Sequence, residues 1–331
     1  MQIFSRNALT AVSRRQSLLS LLALGLSPIQ AFAQEWPNKS LTFVVPFPVG
    51  GSNDLAARIV AESLRKRLGQ NVIIDNKAGA NGAVGVETVL RAPKDQHTLL
   101  IASDSVSLLP LFRTLTWDLS KTFTPVAPIA FQPVVVVTSP GSGFKSIKDI
   151  QTAAKAKPNQ ITYASSGQGS LQHLVGELFS QQLGIDLLHV PYKGGGQAVT
   201  DVLAGQVNLA VLGAGAVLPY IKAGRLIALA VSTGKRSTML PAVPTLAESG
   251  APEVDVSQWS ALFALEGTPA PVLAKLRSSL QETLAEPDVK KRFENGAMEI
   301  STFSPEAFSQ RVAQDRLRWA KLIKDRTISL E

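Results

Sequence analysis

One strand–loop–helix unit near the start of the chain limits the fold more than any other feature. Residues 41–45 are a continuous run of apolar and β-branched side chains, which predicts a strand buried on both faces. The loop 46–54 carries Gly50 and Gly51, which permit a sharp turn and a close approach by a neighbour. Apolar residues at helical spacing over 55–68 predict the helix that follows.

The beginning of this helix is a candidate anion site. Asn53 and Asp54 are residue types that cap helices, so the pattern predicts the N-cap there. A helix start presents free N–H groups and a positive dipole end, both of which favour an anion. Asp54 is interpreted as a cap or dipole partner in the first place, and as a ligand residue in the second.

A second unit of the same kind, residues 161–183, starts 120 residues after the first. The hydroxyls of Ser165, Ser166 and Ser170 in its loop either cap the following helix or contact a ligand. His173, in the first turn of that helix, is interpreted as a structural histidine or a ligand contact. Two similar units predict two similar lobes.

Strands alternate with helices through most of the chain. Further strands are predicted at residues 72–74, 98–102, 134–137, 187–190, 209–212 and 226–231. This alternation predicts an α/β protein with a mostly parallel sheet, whose ligands bind at the carboxyl ends of the strands. Residues 271–322 predict amphipathic helices.

The first 33 residues predict a secretory signal peptide. A positive segment precedes the short apolar run 18–26, and small residues around Ala33 suit a signal peptidase. Arg14 and Arg15 leave twin-arginine export open, but the general secretory route is preferred, because no cofactor motif calls for export of a folded protein. Removal of these 33 residues, with three arginines and no acids, takes the length from 331 to 298 and the formal charge from +8 to +5.

Composition excludes several classes of function. The chain has no cysteine, and therefore no disulfide or thiolate chemistry. Scattered lysines and arginines argue against nucleic acid, and the glycine loops match neither the dinucleotide motif nor the P-loop, so no cofactor is expected. The three histidines lack metal-site spacing. A hydrolase using a serine with His173 and Asp54 remains an alternative, although no G-x-S-x-G motif is present.

An ordered set of motifs resembles one family, and it covers nearly all of the chain after the signal peptide. The resemblance is to the periplasmic substrate-binding receptors of tripartite tricarboxylate transporters, the Bug group. It rests on Phe-Pro-x-Gly-Gly at 47–51 with Asp54, the segment 76–82, Ser-Ser-Gly-Gln-Gly-Ser at 165–170 with His173, Val-Pro-Tyr-Lys-Gly at 190–194, and the segments 241–245, Trp259 and 267–269.

The resemblance implies a type II-like periplasmic binding protein, with two lobes, helices on both faces of mostly parallel sheets, and a ligand cleft between the lobes. It implies a first lobe at 34–134, a second lobe at 135–235, and a return to the first lobe with the C-terminal helices at 236–331, after the signal peptide 1–33. We expect a monomer.

The resemblance also implies the function. A receptor of this family captures a small carboxylate in the periplasm and delivers it to inner-membrane permease subunits, without enzyme activity. The ligand class runs from di- and tricarboxylates to acidic amino acids and aromatic acids. Signalling to a membrane sensor kinase is the alternative role.

The loops at 47–54 and 165–170 would act as opposed jaws, using backbone amides and hydroxyls. The expected ligand-binding residues are Phe47, Val49, Gly50, Gly51, Asn53, Asp54, Asn81, Ser103, Ser165, Ser166, Gly167, Gly169, Ser170, His173, Tyr192 and Ala214. Ser52-Asn53 departs from the family pattern, and Asp104 would oppose an anion if it faced the cleft.

Overall fold

Ten strands form one sheet in residues 36–330, the part of the chain that the computed structural model describes. The strands are β1 (Leu41–Val45), β2 (Val72–Asn76), β3 (Thr98–Ser103), β4 (Phe123–Thr138), β5 (Thr162–Ser165), β6 (Leu188–Pro191), β7 (Leu209–Gly213), β8 (Ile227–Val231), β9 (Ser257–Leu265) and β10 (Glu299–Ile300). The order is β2-β1-β3-β9-β4-β7-β5-β6, and β8 and β10 also pair with β4.

Helices connect most of these strands. They are α1 (Ser52–Leu68), α2 (Ala83–Arg91), α3 (Asp104–Leu108), α4 (Leu119–Thr122), α5 (Ile147–Ala156), α6 (Leu171–Leu183), α7 (Gly195–Leu203), α8 (Ala214–Lys222), α9 (Ala270–Ala285), α10 (Pro287–Asn295) and α11 (Pro305–Asp325). Short 3-10 turns occur at Ala80–Gly82, Leu109–Leu111 and Pro140–Ser142. Within residues 36–330, no helix combines the length and the apolar character that crossing a membrane requires.

The long strand β4 changes partners near its middle. It pairs antiparallel with β9 up to Pro133 and with β10 at Phe131, and from Val134 onwards it pairs with β7 and β8. We call β1, β2, β3, β9, β10 and the start of β4 the first sheet half. The second sheet half is β5 to β8 with the end of β4.

The outer strands of each half are parallel. In the first half β1 pairs with β2 and β3, and in the second half β5 pairs with β6 and β7. The two predicted strand–loop–helix units are therefore β1–α1 and β5–α6. Helix α6 lies close to its strand because Gly176 leaves room for the ring of Tyr163, which a Cβ at that position would overlap.

The last helix, α11, contacts both sheet halves. Near its start the ring of Phe308 packs edge-on against Trp259 of β9, with 5.0 Å between the ring centroids. Near its end Trp319 is buried in the apolar cluster that contains Tyr163 of β5. Helices α9 and α10 instead contact α1. The lobe boundaries expected from the resemblance stay a prediction, and α11 touches residues assigned to both lobes.

The sequence located most elements and misplaced one helix start. The helix of the second unit is predicted over residues 171–183, and α6 has those bounds; residues 134–137 are the end of the longer strand β4. The N-cap prediction for α1 is wrong: Gly51 is the N-cap, and Asn53 and Asp54 lie inside the first turn. The expected signal peptide falls outside the described residues.

Candidate functional site

The buried carboxylate of Asp54 holds the first loop in place by hydrogen bonds. Gly50, at φ +84°, donates its N–H to Asp54 Oδ2 at 2.9 Å. Arg58 Nε also donates to Oδ2 at 2.9 Å, and Asn76 Nδ2 donates to Oδ1 at 3.0 Å. Burial works to raise the pKa of Asp54, but the hydrogen bonds from Arg58, Gly50 and Asn76 outweigh it and lower that pKa. The buried carboxylate is thus charged, and it holds the loop and the Gly50 N–H.

The start of α1 has no side-chain cap. Gly51 occupies the N-cap in an extended conformation, with φ −73° and ψ 167°, and offers no side-chain acceptor to the first turn. The side chain of Asn53 is buried, and its Oδ1 accepts a hydrogen bond from Ser260 Oγ of β9. A long helix that starts without a cap leaves N–H groups of its first turn for an external acceptor.

The tip of the first loop is open to solvent. Val49 is 70% exposed, Gly50 and Gly51 are exposed, and Phe47 is half-buried. Two of the expected ligand residues, Phe47 and Val49, are therefore apolar groups at the entrance to the helix start.

The second loop is closed by its own hydrogen bonds. Ser165 Oγ accepts the N–H of Gly167 at 3.1 Å. Ser170 Oγ donates to Gly167 O at 2.7 Å and accepts the N–H of His173 at 3.2 Å, which makes Ser170 the N-cap of α6. Gly167, at φ +146°, sits so close to Tyr192 O that a Cβ would lie 3.3 Å from it. Of the two roles weighed for the serines, capping holds for Ser170.

Two stacked histidines support this loop from below. The rings of His173 and His189 lie 3.8 Å apart and nearly parallel. His173 Nδ1 accepts the N–H of Gly169 at 3.1 Å, and His189 Nε2 lies 2.7 Å from Ser165 Oγ. Burial lowers the pKa of His173 to about 4 and that of His189 to about 3. Both rings are neutral at pH 7 and serve the loop as structural groups.

The hydrolase arrangement does not form among the described residues. His173 is bonded within the second unit, and Asp54 is bonded to α1 and β2. The serine nearest a histidine, Ser165, is fully buried beside His189. None of these side chains forms a serine–histidine–carboxylate triad in residues 36–330. No cluster of three metal-ligating residues occurs there either.

The turn 80–82, which follows β2, touches the second loop at Asn81. Its Nδ2 donates to Gln168 O in the second loop at 3.2 Å, and its backbone has φ +54° and ψ 32°. Arg113 Nη2 donates to Ala80 O at 2.9 Å and braces the same turn. Because Asn81 lies in the first sheet half and Gln168 in the second, this bond joins the two halves.

Ser103 ends β3 with a hydroxyl that lacks a protein partner. It is fully buried, and its Oγ has no hydrogen bond to any described residue. Ser103 is directly opposite Ser260 in the β3–β9 pairing, so the two side chains share a face of the sheet with the Asn53 contact. Asp104 accepts the N–H of Trp259 at 3.3 Å and is buried beside Asp315, and burial raises the pKa of Asp104 to about 7.

The remaining expected residues lie at the sides of the second loop. Tyr192 donates its N–H to Ser165 O at 3.1 Å and its hydroxyl to Asp201 Oδ2 at 2.6 Å. Burial and the bond to Asp201 raise the pKa of Tyr192 to about 12. Ala214 is buried as the first residue of α8.

Sequence reasoning missed three glutamines that join these parts. Ser166 Oγ donates to Gln172 Oε1 at 2.8 Å, and Gln172 Nε2 donates to Gln258 Oε1 at 3.0 Å. Gln132 Nε2 donates to the same Gln258 oxygen at 3.0 Å, and Gln132 Oε1 accepts the N–H of Gly215 at 3.0 Å. These residues come from α6, β9 and β4, so no local motif in the sequence marks them.

The structure gathers part of the expected site around β9. Ser260 and Gln258 are two residues apart, so their side chains point to the same face of that strand. Asn53 and Ser103 meet this face through Ser260, and Ser166 meets it through Gln172 and Gln258. Asp54, Ser165, Ser170, His173 and Tyr192 are instead engaged in holding the two loops.

Comparison with known proteins decides the family. The sequence pattern of the tripartite tricarboxylate transporter family receptor matches residues 56–328. The chain belongs to this receptor family. The periplasmic binding protein BugD is 34% identical, with a TM-score of 0.78, and the match covers 89% of this chain and 99% of BugD.

Two further similar proteins of known structure were solved with carboxylates. Rpa4515 of R. palustris, solved with adipate, is 31% identical with a TM-score of 0.82, covering 89% of this chain and 99% of its own. MatC from Rhodopseudomonas palustris, solved with bound malate, is 29% identical with a TM-score of 0.77, covering 87% and 100%. The predicted fold class is thereby confirmed, and this receptor is a solute-binding protein of the two-lobed periplasmic type.

Proposed function

We propose that this receptor captures a small carboxylate between its two lobes and delivers it to the inner-membrane permease subunits of a tripartite tricarboxylate-type transporter. The adipate and malate held by Rpa4515 and MatC support this ligand class. The family match supports the transporter as its partner.

The uncapped start of α1 is the observation that carries the proposal. Its first-turn N–H groups lack a side-chain acceptor at the N-cap, and the fully buried Ser103 hydroxyl beside Ser260 lacks a hydrogen-bond partner within residues 36–330. The loops 47–54 and 165–170 contain no lysine or arginine. Helix starts and hydroxyls stabilise a carboxylate without a buried cation, which suits a ligand that must later be released.

Closure joins the two sheet halves through contacts that exist only when the lobes meet. The bond from Asn81 to Gln168 O is one such contact, because its two residues belong to different sheet halves. A ligand that touches both halves favours the closed state by the free energy of those contacts. The permease then distinguishes loaded from empty receptors by their shape.

The location follows from the expected signal peptide. We propose cleavage near Ala33 on the general secretory route, and a monomeric receptor in the periplasm. N-terminal sequencing of the protein recovered from the periplasm is expected to begin at Gln34. A chain that retains Met1 or stays in the cytoplasm would contradict this location.

Calorimetric titration tests the ligand class directly. The native receptor is titrated with adipate, malate, citrate, aspartate and benzoate, which cover the expected di- and tricarboxylates, acidic amino acids and aromatic acids. At least one is expected to bind with a 1:1 stoichiometry and to be recovered chemically unchanged, as capture requires. No binding by any of these five acids would overturn the carboxylate proposal, and a converted ligand would make the protein an enzyme.

Delivery needs a separate measurement in cells. Uptake of the radiolabelled acid that binds best is compared in cells with and without the receptor gene. Loss of uptake without the receptor, and its return with the native gene, is the expected result. Unchanged uptake would remove the transport role and leave binding in place.

A further inference from the structure

The glutamine bridge, Gln172, Gln258 and Gln132, lies where three helix starts converge. Gln172 is in the first turn of α6, and Gln132 accepts the N–H of Gly215 in the first turn of α8. Gln258 stands between them on β9, two residues from Ser260, which contacts the first turn of α1. The bridge is therefore at the floor between the jaws.

A backbone N–H determines how these amides are oriented. Gly215 N can only donate, so the atom of Gln132 that receives it at 3.0 Å is an oxygen. The other terminal atom of Gln132 is then the nitrogen, and it donates to Gln258 at 3.0 Å. The receiving atom of Gln258 is consequently its oxygen. Gln172 donates to that same oxygen at 3.0 Å, which saturates it.

This orientation turns the Gln258 amino group away from the bridge. Its oxygen holds both inward contacts, and its Nε2 has no hydrogen-bond partner among residues 36–330. The Gln258 residue is partly exposed, whereas Gln132 and Gln172 are each only 5% exposed. Gln258 Nε2 does not occur among the buried unpartnered atoms, so its two N–H donors are accessible.

The same bridge changes the role of Ser166. Its single hydroxyl hydrogen is donated to Gln172 Oε1 at 2.8 Å, so Ser166 has only lone pairs left to offer. A carboxylate needs donors and gains nothing from those lone pairs. The donors that face the cleft at this point belong to Gln258.

Gly213 shows that the position of the bridge is built into the fold. A Cβ on Gly213 would lie 2.8 Å from Gln258 Oε1 and 3.0 Å from Gln132 Nε2. Such distances are shorter than side chains tolerate, so the absence of a side chain at Gly213 is what lets the two amides meet there.

We propose that Gln258 binds the ligand directly, donating a side-chain N–H to a carboxylate oxygen. The inference rests on the proposed carboxylate function and adds a specificity residue to it. A neutral donor at the floor favours a deprotonated oxygen without adding charge to the cleft. The bridge fixes the direction of the donor, so little side-chain entropy is lost on binding.

The Gln258→Glu variant separates ligand contact from a structural role. A carboxylate accepts both inward hydrogen bonds as the amide oxygen does, so the bridge is retained while the outward donor becomes an acceptor. We expect affinity for whichever of the titrated acids binds the native chain most tightly to fall about 10- to 100-fold at pH 7. The loss relative to native protein should shrink towards pH 5, because protonation of the carboxyl restores a donor.

Gln281→Glu is the matched control, since it makes the same change on the exposed face of α9. It is expected to bind like the native chain. Native affinity in the Gln258→Glu variant would overturn the inference while leaving the carboxylate function intact. No binding of any of the titrated acids by the native chain would instead overturn the proposed function, and this inference with it.

Nuclear magnetic resonance of the native chain covers the case in which the variant does not fold. In 15N-labelled native protein, the side-chain NH2 signals of Gln258 should shift when the bound acid is added, and those of Gln281 should stay in place. An unmoved Gln258 signal at saturating ligand would refute direct contact.

Discussion

The two strand–loop–helix units look alike in sequence but use their helix starts differently. In β1–α1 the N-cap is Gly51, and no side chain caps the helix. In β5–α6 the N-cap is Ser170, whose hydroxyl accepts the N–H of His173 at 3.2 Å. One helix start is open to a ligand, and the other is occupied by its own loop.

The difference shows that two similar loops of one receptor have different roles. In the first unit the carboxylate of Asp54 accepts the N–H of Gly50, and the start of α1 remains open. In the second unit the polar groups of the loop are hydrogen-bonded within the protein, through Ser165 and Ser170, and the stacked histidines support the loop. Its influence on a ligand then passes through Ser166 and the glutamine bridge. We expect the first loop to govern affinity and the second to govern stability.

The largest expected effect is acid destabilisation through the second unit. His173 and His189 have pKa values lowered by burial to about 4 and about 3, below the usual value of 6.5. Between pH 6.5 and these lowered pKa values, the unfolded chain binds more protons than the folded chain. The free energy of unfolding is therefore highest above pH 6.5 and falls as the pH drops below it. Each histidine contributes a slope of about 1.4 kcal/mol per pH unit over that window.

Urea unfolding at pH 7, 6, 5 and 4.5 measures this effect. The variant His189→Gln keeps a polar group near Ser165 and loses one titrating ring. Its free energy of unfolding should fall less steeply with pH than that of the native protein. Parallel curves would show that the histidines do not control the acid sensitivity of this unit.

A large loss of affinity is expected when α1 is capped like α6. Gly51 is extended, and a Cβ there would lie at an ordinary 3.4 Å from Pro48 O, so Gly51→Asp fits the backbone. The new carboxylate would take the first-turn N–H groups and repel an anion. We expect carboxylate affinity to fall about 10- to 100-fold, with a gain in stability of about 0.5 kcal/mol.

Titration calorimetry and thermal unfolding of the same samples check both halves of this prediction. Gly51→Asn is the neutral control, since it caps the helix without adding charge, and it should lose less affinity. If Gly51→Asp binds like the native protein, the ligand does not use the start of α1.

The smallest expected effect comes from removing the cap of α6. Ser170→Ala deletes the acceptor for the His173 N–H and the donor to Gly167 O, which should cost about 1 kcal/mol of stability. Affinity should stay close to native, because both bonds lie within the protein. Ser166→Ala is the counterpart, expected to weaken binding by removing the donor to Gln172. Reversed outcomes for the two serines would make Ser170 the ligand contact.

Local pattern was enough to find both units, because apolar runs and glycines predict the secondary structure of their own segment. It was not enough to tell their helix starts apart. Asn53 and Asp54 are good caps by type, yet tertiary contacts to Ser260 and Asn76 draw their side chains elsewhere and leave Gly51 at the N-cap. Propensity describes a residue alone, whereas the cap depends on which partners arrive from distant strands.

Long-range pairing explains the residues that sequence reasoning missed. Gln132 and Gln258 are 126 residues apart, and only the antiparallel pairing of β4 with β9 brings their side chains together. His189 meets Ser165 because β5 and β6 are neighbours. Such contacts leave no spacing signal along the chain, so they require the topology before they can be named.

The position of α11 has a consequence for when this receptor becomes folded. Phe308 completes the packing around Trp259, and Trp319 completes the cluster around Tyr163, so the last helix supplies buried groups to both cores. A chain released up to α10 therefore exposes apolar surface on each half and lacks the contacts that hold them. We therefore expect stable packing of both cores to require the C-terminal helix, so that folding is completed only after the end of the chain has been synthesised.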